Sequence, residues 1–434
     1  MIYRVITACI FIVALILVIG YARGYRLDIN NTELSSRGLV AVTSSPRSAK
    51  IFVNDVFKGV TDTSLYLEPG TFTVNIIKDG YFPWKKTIKI QGEIVQSVDA
   101  TLYPINASLS PLTNIGVLRA IPFGVDGKKV LIFSTMKPKE SIVPTTAPVP
   151  SDQTTESQEG IFVYDPRTQA VSLFPALTHI VDYRVLGADM MPENYAVLFA
   201  PNFDQAILFY NPKYSSETSD LISQFDSSYR APESFDIAYL ISLSELNTTP
   251  LDITNSALSL VEAWSIQKSS NLTALLAGYH KKVHNFIESS AKIVDISPDK
   301  TRILYEATAS AKLEPVLKHP LIGVNQTEDV RTTQPGSLYV YDVREDRNYA
   351  IVSTTELSHQ HAYPLFHPNS KNIVLNEEKS ISIMDYDGMN RQKLYSGPYD
   401  SSFFVVTSDG RVLILTNFNS TLDKSFDLYA VGIR

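Results

Sequence analysis

With 434 residues, 44% of them hydrophobic and 19% charged, the chain is too long for one ordinary core and too apolar to be disordered, so two or more globular domains are expected. A net charge of −7 without any cluster of Lys and Arg excludes a general nucleic-acid binder, because neutralising phosphates needs concentrated positive charge. The single cysteine, Cys9, rules out an internal disulfide and a cysteine-based metal site, while 23 Tyr, 20 Phe and many short Val/Ile runs favour β-structure.

Residues 5–22, VITACIFIVALILVIGYA, carry no charge and are flanked by Arg4 on one side and Arg23 and Arg26 on the other. Most are Val, Ile, Leu or Phe, each worth about −0.3 to −0.6 kcal/mol at the membrane centre, so insertion is favourable by roughly 3–7 kcal/mol. As a helix the stretch covers about 27 Å, close to the hydrocarbon thickness. The charges balance across it and do not set orientation. The short N-terminal tail before a large β-rich remainder predicts an uncleaved signal anchor over residues 1–24, with the bulk of the chain extracytoplasmic. A cleaved signal peptide is the alternative, with Gly20 and Ala22 as small residues before the cut.

Between residues 38 and 103, short strand patterns alternate with Ser-Pro, Asn-Asp, Pro-Gly and Asp-Gly turns, which predicts a small antiparallel β-domain. Phe72-x-Val74-x-Ile76 and Ile88-x-Ile90 have the period of two that buries one face and wets the other. These residues resemble the PEGA domain family. The resemblance rests on Ser45-Pro46, Ala49, Ile51 and Val53, Asn54, Gly59, Thr61, Glu68-Pro69-Gly70, and Lys78-x-Gly80-Tyr81-x-x-Trp84. Asp55 departs from it, since the family usually has glycine there. The stretch DGYFPWKKTIKI raises two readings. In the first, Gly80 takes positive φ while Tyr81 and Trp84 close one end of a small sandwich. In the second, Tyr81, Phe82 and Trp84 form an exposed aromatic platform for a carbohydrate or peptidyl surface, as the family's place on bacterial envelope proteins implies.

From residue 104 onward a two-part unit recurs. A polar turn leads into an apolar strand at Asp126, Pro192, Ser297, His367 and Ser408, and a strand with an aromatic-Asp or aromatic-Asn end follows at Gly160, Ala206, Gly336, Ser380 and Phe426. Each pair reads as the two central strands of a four-stranded sheet, buried on both faces by radial stacking. The pattern is similar to TolB-like and WD-repeat-like β-propellers, and the whole chain to bacterial surface proteins that join a PEGA domain to such a propeller. At 40 to 50 residues per blade, about six or seven blades are expected over residues 104–434. Residues 137–159 are rich in Pro, Thr and Ser and predict a disordered loop. Residues 251–293 have helical spacing at Leu258, Val261, Leu272, Leu275, Leu276, Val283 and Ile287, with a short helix over 272–289.

Chemistry is sparse. His280 and His284 are four apart on that helix, and His359, His361 and His367 form a second group, but helix-surface and strand-end roles account for both and no metal is expected. There is no nucleophile elbow and no phosphate-cradling glycine loop. Asp165, Asp342 and Asp385 end blade strands, where capping a turn is the expected role. The sequence therefore reads as a mainly β, non-enzymatic, membrane-anchored cell-envelope protein without a cofactor, binding a glycan or protein partner. A structural spacer attaching the envelope to a surface layer is one alternative, and a propeller-type glycoside hydrolase or lyase another. A convergent carboxylate pair would favour the enzyme.

Overall fold

The structure is a computed structural model and describes residues 2–22, 25–27, 34–124, 129–134, 159–167, 177–187, 192–214, 229–357, 363–377, 379–418 and 426–433. The loop 137–159, except its last residue, and both His359 and His361 lie outside them. The chain divides into two compact units, Met1–Asn106 with Leu317–Asp329, and Ala107–Val316 with Val330–Arg434.

The first unit starts with α1 (Ile2–Ala22), one uninterrupted helix of 21 residues. Among the described residues no helix is both long and apolar enough to cross a membrane. A hairpin of β1 (Tyr25–Leu27) and β2 (Leu34–Ser36) follows. Then come β3 (Gly38–Ser45), β4 (Lys50–Val53), β5 (Val56–Val60), β6 (Thr63–Leu67), β7 (Gly70–Ile77), β8 (Trp84–Ile90) and β9 (Val95–Thr101). They build a three-stranded sheet in the order β6-β3-β9 and a four-stranded sheet in the order β5-β4-β7-β8. The pairing is antiparallel except between β3 and β9, which run parallel, because the chain returns to β3 only after passing through the other sheet. Val40, Val42, Ile51, Val74, Ile76 and Trp84 fill the shared core, each aliphatic side chain contributing about 1.5–3 kcal/mol on burial. The β4–β5 hairpin turns at Asn54 (φ 47°) and Asp55 (φ 63°). Both sit in the left-handed region, as in a type I′ turn, which Asn and Asp enter more readily than other residues with a Cβ. Segment Leu317–Asp329 belongs to this unit. Its Gly323 passes so close that a Cβ there would stand 3.7 Å from Ile94 Cγ2 and from Val95 O, and Val324 is buried.

Among the described residues the second unit contains five four-stranded antiparallel sheets. Blade 1 is β11 (Val117–Phe123), β12 (Lys129–Ser134), β13 (Gly160–Tyr164) and β14 (Leu177–Asp182). Blade 2 is β15 (Tyr195–Phe199), β16 (Gln205–Tyr210), β17 (Ile237–Ser242) and β18 (Leu251–Asp252). Blade 3 is β19 (Ala291–Ile296), β20 (Arg302–Ala307), β21 (Ser337–Asp342) and β22 (Arg347–Ser353). Blade 4 is β23 (Leu365–Phe366), β24 (Asn372–Glu377), β25 (Ser380–Asp385) and β26 (Gln392–Tyr395). Blade 5 joins β27 (Phe404–Val406), β28 (Val412–Thr416) and β29 (Asp427–Gly432) to β10 (Ser108–Pro111) from the start of the unit. That last pairing clasps the two ends of the unit together, as propellers do to leave no bare sheet edge.

Apolar clusters join blade 5 to blade 1, blade 1 to blade 2 and blade 3 to blade 4. Between blades 2 and 3 the packing differs. The side of blade 2 turned away from blade 1 is covered by Ala257, Val261 and Trp264 of α3 (Ala257–Leu276). The side of blade 3 turned away from blade 4 is covered by Leu276 and by Val283, Phe286 and Ile287 of α4 (Lys281–Ser290). This is why the expected six or seven blades become five sheets among the described residues: a helix pair packs where sheet would face sheet. The expected short helix over 272–289 is two helices. They break at residues 277–280, where Gly278 stands between the last turn of α3 and His280, the residue that caps α4 by accepting a hydrogen bond from Lys282 N at 3.2 Å. Leu258, expected on the buried stripe, is exposed.

The two-part repeat is seen as expected in four blades, on the second and third strands. In blade 2 the expected pair, at Pro192 and Ala206, falls on the first and second strands, β15 and β16. The true blade turn there is Ala200-Pro201-Asn202-Phe203, with Phe203 at φ 61°. It matches Ser297-Pro298-Asp299-Lys300, His367-Pro368-Asn369-Ser370 and Thr407-Ser408-Asp409-Gly410, whose fourth residues have φ of 59°, 61° and 85°.

Candidate functional site

Antiparallel order places the turns after the first and third strands of every blade at one end of the second unit. The acidic residues that gather there hold the turns. Asp299 Oδ1 accepts from Ser297 Oγ at 2.7 Å and from Thr301 N at 3.1 Å. Asp165 accepts from Arg167 N at 3.0 Å and forms ion pairs with Arg167 and Lys129. The hydrogen bond from the Arg167 side chain, supported by backbone N–H and both cations, lowers the Asp165 carboxyl to about 2. Asp385 accepts from Asn372 Nδ2 at 2.9 Å and from Asn390 Nδ2 at 2.8 Å.

Asp342 has no exposed surface. Its Oδ1 accepts from Arg344 N and Glu345 N at 2.9 and 3.0 Å, and its Oδ2 lies 2.9 Å from Arg302 Nε. The same guanidinium donates to Ser370 O of blade 4 at 2.9 Å and sits 3.8 Å above the Tyr386 ring. Asp295 accepts from Phe366 N at 2.7 Å across the same blade boundary. These carboxylates close turns and join blades, the capping role that the sequence predicts for Asp165, Asp342 and Asp385.

The histidines are separate. His280 caps α4, and His284 Nε2 lies 3.1 Å from Glu288 Oε1 one turn further on. His367 is buried at its blade turn, where its Nδ1 accepts from Asn369 N at 3.3 Å. Among the described residues no group of three His, Cys, Asp or Glu could hold a metal ion.

In the first unit, Gly80 has φ 83°, the turn conformation expected of it. Tyr81 is half-buried against the sandwich core and bridges to Pro104. Phe82 is half-buried, and its N–H donates to Tyr103 O at 2.8 Å. Trp84 is only 5% exposed. It pairs with Ile76 on the face of β8 that looks into the core, so it cannot belong to an exposed platform. The three aromatics are not brought together on an open surface.

The other face of the same sheet is open, and strand register sets its composition. One row across it reads Phe57, Phe52, Asn75, Lys85, and the next reads Val60, Lys50, Ile77. Further along, Thr73 pairs with Thr87 and Thr71 with Lys89. Phe57 is 56% and Val60 48% exposed on the edge strand β5. The Phe52 and Phe57 rings meet edge to face, 5.7 Å apart, a favoured aromatic geometry. Lys50, Lys85 and Lys89 are exposed, and register places no Asp or Glu on this face. Sequence reasoning passed over these residues, although the alternation Lys85-x-Thr87-x-Lys89 against Trp84, Ile88 and Ile90 marks a polar face opposite the core.

Residues 37–106 match the PEGA domain family. The second unit is a β-propeller by its strand order, its stacked sheets and its clasp. No curated protein is similar to the chain. Among solved structures it is similar to the tricorn protease, with 12% identity over 81% of this chain and 31% of that one, at a TM-score of 0.19. It is also similar to the β-propeller domain of the trilobed protease from Pyrococcus furiosus, with 11% identity over 88% of this chain and 84% of that one, again at 0.19. This chain thus spans about a third of the tricorn protease chain.

Proposed function

We propose that the chain is a membrane-anchored cell-envelope binding protein, held by α1 and presenting the PEGA domain and the propeller as non-catalytic surfaces. The open face of the sheet β5-β4-β7-β8 carries the reading, because it leaves large apolar side chains in water next to a row of cations. A sandwich of about seventy residues has few apolar side chains to spare from its core, so exposing Phe57 and Val60 points to a surface that is covered by a partner.

Although among the described residues no helix is both long and apolar enough to cross a membrane, the anchor is supported by the uncharged, mostly aliphatic run of residues 5–22 in α1. Its Ile10, Phe11, Ile16 and Val18 are each more than 60% exposed, as side chains that face lipid must be. Alkaline extraction of cell membranes tests it. The full chain should stay in the pellet while a chain starting at Tyr25 is released; release of both would sink the anchor. For binding, the full chain should sediment with isolated envelopes and a Phe57→Ala chain should do so less. Equal sedimentation would remove the open face from the reading.

A further inference from the structure

We infer that the open face of the PEGA sheet is a binding site for an anionic glycan strand. The inference rests on the envelope-binding reading and names its ligand class. Charge is the first argument. Residues 37–106 contain eight Lys or Arg and six Asp or Glu, a net charge of +2 in a chain whose total is −7. Lys50, Lys85 and Lys89 stand on the open face, and register puts no carboxylate beside Lys50 or Lys89. A face of this kind attracts an anion and repels nothing in it.

Chemistry and shape are the second argument. A sugar ring offers an apolar C–H surface and a rim of hydroxyls, and this face has both complements. The exposed Phe57 ring, propped edge-on by Phe52, gives a flat apolar support. Thr73 and Thr87 face each other across β7 and β8, next to Asn75, and their hydroxyl groups can donate to and accept from those of a sugar, while the Asn75 Oδ1 is buried. A lipid surface would use the cations and the apolar side chains but has no need of these hydroxyl groups. Lys85 and Lys89 are four residues apart on one strand, about 13 Å, so successive acid groups of an extended polymer can be met along β8. Ammonium groups pair with carboxylate or phosphate oxygens as point charges and do not demand one fixed geometry, which suits a repeating polymer.

The test uses the full chain in nanodiscs of zwitterionic lipid, with polygalacturonate as the acidic probe, dextran as the neutral one, and phosphatidylglycerol vesicles as the lipid control. Polygalacturonate should bind, and more weakly as salt rises from 0.1 M towards 1 M, because the Debye length falls from about 10 Å to about 3 Å. A variant with Lys50, Lys85 and Lys89 all changed to Gln should lose on the order of tenfold or more in affinity. Phe57→Ala, at an exposed position, should weaken binding several-fold while leaving the melting curve in place. Equal affinity of the triple variant, equal binding of dextran, or preference for the vesicles each overturns the assignment. If the chain sediments with envelopes through Phe57 but ignores polygalacturonate, the ligand class is wrong and the envelope reading stands.

Discussion

Replacing Arg302 by Met tests whether blades 3 and 4 are locked by a buried charge. Arg302 is the cation 2.9 Å from fully buried Asp342, so the variant keeps the length of the side chain and strands the carboxylate. Stranding a buried charge costs about 3–5 kcal/mol. Loss of the cation over the Tyr386 ring adds about 1 kcal/mol, and the hydrogen bond to Ser370 O a similar amount. Pairing Arg302→Met with Asp342→Asn should recover much of this, because asparagine can still accept from Arg344 N and Glu345 N without a charge to strand. For a unit of about 315 residues the unfolding entropy makes 1 kcal/mol worth roughly 1.5 °C. The propeller transition should therefore fall by about 8–10 °C in the single variant and by clearly less in the double. The assay is scanning calorimetry of the full chain, with the PEGA transition as internal control. A single-variant shift below about 2 °C, or additive single and double effects, would refute the lock.

Trp84→Ala should remove about 3–5 kcal/mol from the PEGA unit, enough to abolish its separate melting transition. Phe57→Ala in the same sheet should cost less than about 1 kcal/mol, and equal effects would show that the two faces have been misassigned. Because Arg167 holds the Asp165 carboxyl near 2, below the usual 3.9, its contribution is present above about pH 4 and is lost as pH falls towards 2. Asp165→Asn should accordingly be less acid-sensitive than the wild type in that window, and an unchanged acid limb would count against it. Gly160→Ala would place a Cβ 2.2 Å from Val181 O, a backbone atom that cannot swing aside. The expected cost is about 1–3 kcal/mol, read as a lower denaturant midpoint.

Much of the fold is legible in the sequence because blades repeat. Four of the five strand pairs stand out once an apolar run is read together with its polar turn. The blade 2 pair slips by one strand because Pro192-Glu193-Asn194 imitates a blade turn, whereas the real one, Ala200-Pro201-Asn202, hides its left-handed position under Phe203. Position in a sheet is set by pairing partners far along the chain, and periodicity does not encode them. The same limit explains the helix pair: local spacing shows that helices form, but not that they pack where two sheets would otherwise meet. The candidate surface was missed for a related reason. Trp84 is conspicuous as a residue type, yet its face is fixed by pairing with Ile76. Phe52 and Phe57 are ordinary strand residues until register brings them together.

The segment Leu317–Asp329 makes the PEGA unit discontinuous: its last thirteen residues are spelled out inside the third blade of another unit. A gene fragment ending at Asn106 encodes the strands of this PEGA unit but not the chain that passes beside Ile94 and Val95. The stability of the PEGA unit therefore depends on residues spelled out within the propeller's stretch of sequence, and a change at Val95 and a change at Gly323 should couple energetically although they lie far apart in the chain.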